Sequence, residues 1–206
     1  MAYTVYDEDN NVFTKVEEPD PTYSYTYADY LQWKFEERLE LFRGRIFQLS
    51  APNRQHQEIS MVLSSAIFAI LRNQSCKVFH APFDVRLPKG NKKKDTEVNT
   101  VVQPDICVIC DESKLDARGC CGAPDLVVEI LSPGSSRKEI RIKYELYEEA
   151  GVKEYWIIHP AEETVSVLTL DNDGKFSGAK IYSNGDKLQS AAVAGLTIDV
   201  VDIFRQ

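Results

Sequence analysis

The chain has 206 residues, 43% of them hydrophobic and 27% charged, which suits one globular domain with its own core and a small extension. No apolar run approaches the roughly 20 residues that span a bilayer, and the opening MAYTVYDEDNNVF lacks the basic and apolar regions of a signal peptide, so a cytoplasmic protein without membrane contact is expected. The formal net charge of −8 speaks against a general nucleic-acid binder, although the first forty residues hold ten acidic and three basic side chains, which leaves the remainder closer to neutral.

Residues 1–27 are acidic and tyrosine-rich and read as an extended N-terminal arm; residues 28–206 read as one domain. Ala28 to Glu37 suggests a short helix opened by Thr26. ERLELFRGRIFQLSAP reads as a hairpin turning at Arg43-Gly44. Asn53 is placed to cap a long helix reaching about Gln74, whose Ile59, Val62, Leu63, Ala66, Ile67, Ile70 and Leu71 form a helical stripe. CKVFHAPFDVRLP is a strand ending near Pro88, and KGNKKKDTEVNT is a polar loop in which Lys92, Lys93 and Lys94 read as a solvated tip rather than a phosphate contact. VVQPDICVIC is a strand, DESKLDARGCCGAP a turn-rich connection, and DLVVEIL a short apolar strand of the kind covered on both faces. SPGSSRKEIRIKYELYEEAGV gives a loop and a helix closed by Gly151. KEYWIIH is another buried strand, with Tyr155 and Trp156 in the core, and the tail reads as a β-meander with Asn-Asp-Gly and Asn-Gly-Asp turns. These elements predict an α/β (α+β) fold: a mixed β-sheet core flanked by helices, with an N-terminal hairpin and a C-terminal β-meander.

The five cysteines are Cys76, Cys107, Cys110, Cys120 and Cys121. An odd count in a reducing compartment argues against a disulfide framework. Cys107 and Cys110 have CxxC spacing, but residues three apart on a strand point to opposite faces, so zinc is disfavoured and small buried apolar residues are the expectation.

Candidate chemistry centres on DLVVEIL. On a strand Asp125, Val127, Glu129 and Leu131 share one face, so Glu129 sits within an apolar strand and must be paired, protonated or bound to a metal. Asp105 follows Pro104 at the start of the preceding strand; if those strands pair, the two carboxylates converge. Two oxygen ligands plus water suit magnesium or manganese, which would acidify a water nucleophile and stabilise charge on a phosphate. On the following helix Ile140, Lys143, Tyr144, Tyr147 and Ala150 share one side, which brings Lys143 to a packed face where a lysine needs a partner. Either it pairs with the carboxylates or it snorkels at the core edge. His56, in the first turn of the long helix, and Glu40, at the start of the hairpin, are further candidates; Asp84 ranks below them.

The segments ELFRGRIFQLSAP, HQEI, APFDVRLP, QPDICVI, APDLVVEILSPGS and KYELYEEAGVKEYWIIHP, in that order, resemble the Putative restriction endonuclease family of the PD-(D/E)XK nuclease superfamily. The resemblance runs from about Glu40 to Pro160, and the tail fits too. It implies a restriction-endonuclease-like fold, metal-dependent hydrolysis of DNA phosphodiester bonds, Asp105 and Glu129 as ligands of Mg2+ or Mn2+, and a homodimer. Leu131 stands where the superfamily signature has lysine; the resemblance implies that Lys143 takes that role, with Glu40 or His56 completing the site. Three other readings stay open: a nucleic-acid-binding or regulatory module that has lost cleavage, a mobile-element nuclease that needs partners, and a structural protein in which Glu129 and Lys143 form a buried ion pair.

Overall fold

The computed structural model describes residues 3–7, 12–16, 22–33, 38–133 and 137–205. The chain divides into two compact units, residues 1–51 with 86–102, and residues 52–85 with 103–206.

In the first unit β1 (Tyr3–Asp7) and β2 (Val12–Val16) pair as an antiparallel hairpin within the segment read as an extended arm. Helix α1 (Tyr27–Tyr30) is shorter than the sequence suggests; residues 34–37 of the expected helix lie outside the described residues. Its start is as expected, with Asp29 accepting hydrogen bonds from the Thr26 amide (2.8 Å) and hydroxyl (2.7 Å). Strands β3 (Leu39–Phe42) and β4 (Arg45–Gln48) form the predicted hairpin. Both turn residues, Arg43 (φ 49°) and Gly44 (φ 80°), are left-handed, the conformation that matches a two-residue turn to strand twist. Glycine is required at position 44 because a Cβ there would lie 2.2 Å from Ser24 Oγ. A small aromatic core gathers Tyr27, Leu41, Val98 and Val101, with Tyr25, Tyr30, Trp33 and Ile46 packed on it. The guanidinium of buried Arg86 stacks 5.1 Å from the centre of the Tyr27 ring.

The second unit carries the larger core. Helix α2 (Arg54–Leu71) begins where Asn53 accepts the His56 amide through its side chain (2.8 Å). Asn53→Ala is expected to lower stability by about 1 kcal/mol in urea denaturation. The expected strand through Pro88 is divided into β5 (Lys77–His80) and β6 (Val85–Arg86). Strand β7 (Val101–Val102) belongs to the first unit, where it pairs with β3; the second unit continues with β8 (Ile106–Ile109), a 3-10 turn at Glu112–Lys114, and the hairpin of β9 (Leu115–Asp116) and β10 (Gly119–Cys121). Strand β11 (Leu126–Ile130) leads through α3 (Arg137–Ala150) into β12 (Glu154–His159). The remainder is β13 (Thr164–Thr169), β14 (Lys180–Tyr182), β15 (Lys187–Gln189), β16 (Thr197–Asp199) and a five-residue helix α4 (Val200–Phe204).

The main sheet has the order β14-β13-β12-β11-β8-β5. It is mixed: β11 and β12 run parallel, as a helical crossover requires, and every other neighbour is antiparallel. Strand β11 lies inside this sheet and is buried at every residue, which explains its apolar run. Against one face pack Ile59, Leu63, Ile67 and Leu71 of α2, meeting Ile106, Val108, Val128 and Trp156. Val62, read from the sequence as part of that stripe, is instead exposed.

The cysteine expectation is corrected. Cys76 and Cys110 are joined by a disulfide, and Cys107, Cys120 and Cys121 are free. The physical reason is register: Lys77 pairs with Ile109 across antiparallel β5 and β8, so the residues just beyond them face each other. Among the described residues no group of three or more His, Cys, Asp or Glu side chains is arranged to hold a metal ion.

Candidate active site at the β8–β11 edge

Asp105 directly precedes β8, and Glu129 is the fourth residue of β11. The antiparallel register pairs Leu126 with Val108, Val127 with Cys107 and Val128 with Ile106. Continued by one step, it sets Glu129 opposite Asp105, and directly opposed residues of an antiparallel pair project to the same face. Backbone and side chain lock this edge together: Asp105 Oδ2 accepts the amide of Ile130 at 2.7 Å.

Each carboxylate is held by a second element. Lys143, five per cent exposed on α3, donates from Nζ to both Glu129 oxygens at 3.1 Å. Tyr147, one helical turn on, donates its hydroxyl to Glu129 Oε1 at 2.6 Å. His56, in the first turn of α2, has Nε2 3.1 Å from Asp105 Oδ2. The other ring nitrogen of His56 is buried and has no hydrogen-bond partner among the described residues. Two helices thus reach the carboxylates on the sheet, α3 with Lys143 and Tyr147 on Glu129 and α2 with His56 on Asp105.

Of the residues expected from the sequence, Lys143 joins Glu129 and His56 joins Asp105. Glu40 is fully buried on β3 of the first unit. Asp84 accepts a hydrogen bond from Gln103 Nε2 (3.0 Å). Lys92, Lys93 and Lys94 are exposed, as a solvated tip requires. The residues not singled out are Tyr147 and Tyr155. Tyr147 was legible as the position one helical turn beyond Lys143, whereas Tyr155 gave no signal beyond core. Burial, and then the negative charge of Glu129, push the Tyr155 phenol well above its ordinary range, with Lys143 opposing and Asp105 and Glu139 adding to the rise. One hydroxyl therefore senses Asp105, Glu129 and Lys143 together, and it stays protonated at neutral pH.

Cys107 faces the same side as Asp105 and Glu129 by strand alternation. Burial first, then the Cys120 thiol and Glu129, push its thiol well up. It is expected to stay unreactive toward iodoacetamide at mildly alkaline pH in the folded protein, while partly exposed Cys121 is modified; peptide mass mapping reads the difference.

The donor chemistry fits a hard divalent cation. Asp105 spends its described side-chain contacts on Oδ2, which leaves Oδ1 for a ligand. Magnesium is commonly held by one or two carboxylates with water and substrate phosphate rather than by an all-protein cage, and Asp105 and Glu129 are the carboxylates that could serve.

The model of the Uma2 family, described as "Putative restriction endonuclease", matches residues 27–201. The chain belongs to that family. A Synechocystis sp. relative named "Uncharacterized protein slr1290" is 25% identical over 182 residues, covering 86% of this chain and 90% of the relative. A solved structure, a "putative nuclease belonging to DUF820" from Anabaena variabilis ATCC 29413, superposes with a TM-score of 0.70 at 21% identity, covering 87% of this chain and 97% of that one. The expected restriction-endonuclease family and its mixed α+β fold are both borne out. No helix among the described residues is long and apolar enough to cross a membrane.

Proposed function

We propose that this Uma2-family protein is a magnesium- or manganese-dependent endonuclease that hydrolyses DNA phosphodiester bonds. The observation that carries the reading is the facing pair Asp105 and Glu129 with a buried lysine on one of them. A buried ion pair without a task is a poor source of stability, whereas a cation beside two carboxylates suits phosphoryl chemistry.

Asp105 and Glu129 are the residues that would hold the divalent cation. When bound, that cation supplies Lewis-acid stabilisation of phosphate charge and acidity for a water nucleophile. Lys143, held on Glu129, would turn its ammonium to the negative charge that grows on the scissile phosphate. Tyr147 orients Glu129, and His56 orients Asp105. DNA is the substrate, and the cytoplasm is the place where it would be met.

The test is supercoiled plasmid incubated with magnesium, manganese or a chelator. Nicked and linear products with either cation, and none with chelator, are expected; cleavage that persists in chelator sinks the mechanism. A second reading, a binding module that no longer cuts, is favoured by the tight hold of Lys143 and Tyr147 on Glu129 and by the net charge of −8. Under it, calorimetry finds no magnesium binding to the folded protein.

A further inference from the structure

One face of α2 packs on the sheet, but the opposite face is apolar and uncovered. Six large hydrophobic side chains among the described residues are exposed, and three of them lie on this helix: Met61 (67%), Phe68 (60%) and Val62 (37%). At about 100° per residue they fall on one stripe, together with exposed Ser65 and Ala69 at its centre. Such a stripe on the longest helix of the fold is a docking surface rather than scattered surface leucines and valines.

The ends of the stripe identify the occupant. Glu58 lies seven positions before Ser65, and Arg72 seven positions after it. Met61 and Ala69 are four positions either side, and Val62 and Phe68 three. If a two-fold axis passes through Ser65, a second copy of α2 lies antiparallel on the first. Glu58 then meets Arg72 of the partner subunit, Val62 meets Phe68 of the partner subunit, and Met61 meets Ala69 of the partner subunit. Opposite charges close both ends, apolar residues fill the middle, and small residues sit where the helices cross closely. This is the self-complementarity that an isologous interface demands. Arg72 has no acidic partner within its own chain among the described residues, while Glu58 has only the adjacent Arg54.

We propose that the protein forms a two-fold homodimer through the outer face of α2, centred on Ser65. The same helix carries His56 on its inner side against Asp105, so dimerisation fixes the backbone that positions one of the site groups. One helix pair is smaller than the ~1,200–2,000 Å2 of a standard interface, so the dimer forms reversibly as concentration rises.

Sedimentation velocity of the full chain tests this independently of any nuclease activity. A monomer–dimer equilibrium with Kd of about 1–100 µM is expected, weakened at least about tenfold by Phe68→Glu, which buries an unpaired charge. Glu58→Arg or Arg72→Glu alone weakens it, and the two together restore it. Ser65→Cys cross-links to a covalent dimer on oxidation, whereas Lys138→Cys on α3 does not. Far-UV circular dichroism confirms that each variant is folded. A monomer at every concentration, a dimer indifferent to Phe68→Glu, or a double charge swap that fails to restore association overturns the proposal.

Discussion

Asp105→Asn and Glu129→Gln are each expected to lower metal-dependent plasmid cleavage by about 10²–10³-fold, the scale of removing one pre-organised charged group from a reaction centre. These amides are chosen over alanine because of what surrounds them. Asn at 105 can still accept the Ile130 amide, and Gln at 129 can still accept from Lys143 and Tyr147. Glu129→Ala removes the counter-ion of a lysine that is five per cent exposed and would cost about 3–5 kcal/mol by stranding that charge, which confuses lost chemistry with lost fold. Calorimetry and urea denaturation together separate the two: magnesium affinity falls in both amide variants, while Glu129→Gln loses less stability than Glu129→Ala because its amide oxygen still accepts from Lys143 and Tyr147. If cleavage and magnesium affinity both survive the two amide changes, the carboxylates are structural. If Glu129→Gln lowers stability alone, the buried ion pair is the whole of their role.

The second large effect lies outside the site. Glu154→Ala is expected to destabilise the protein by about 3–5 kcal/mol, a large share of the ~5–15 kcal/mol that holds a typical domain folded. Glu154 is fully buried at the start of β12. Its carboxylate accepts four hydrogen bonds: from Trp156 Nε1 (2.6 Å), Ser190 Oγ (2.8 Å), and the amides of Ala191 and Ala192 (both 2.7 Å). Ser190 Oγ in turn accepts the Val193 amide at 3.0 Å. One side chain thus satisfies the indole of a core tryptophan and most of the loop that carries Val193 and Leu196 into the core. Removing it leaves several buried donors without an acceptor, each with its own desolvation cost. Chemical denaturation measures the loss. A change under about 1 kcal/mol would mean that water or a rearranged loop replaces the carboxylate.

Much of this was legible in the chain alone. Asn53, the Arg43-Gly44 turn, Gly151 and the apolar runs of β8, β11 and β12 carry their own stereochemistry, because caps, left-handed turns and doubly covered strands each demand particular residue types. The candidate Glu129 was legible for a similar reason: an acid inside an apolar strand must have a partner. The weaker signals failed where neighbours decide. The five residues of α4 are too few to show a helical period. The hairpin of β1 and β2 lies in acidic sequence that reads as an extended arm. The strand through Pro88 is split at a proline-containing turn that composition does not predict.

Local sequence therefore determined which residues needed partners: Glu129 and Lys143 because a buried charge is costly, and Asn53 because a helix start exposes amide donors. Tertiary structure alone decided which partners they met. The β8–β11 register faces Asp105 toward Glu129, the landing of α3 selects Lys143 and Tyr147 for Glu129, and the start of α2 gives His56 to Asp105. The same holds for Cys76 and Cys110, which a sequence separation of 34 keeps apart and adjacent strands bring together. Pairing across a sheet depends on register between distant segments, and no short-range pattern of side chains records it.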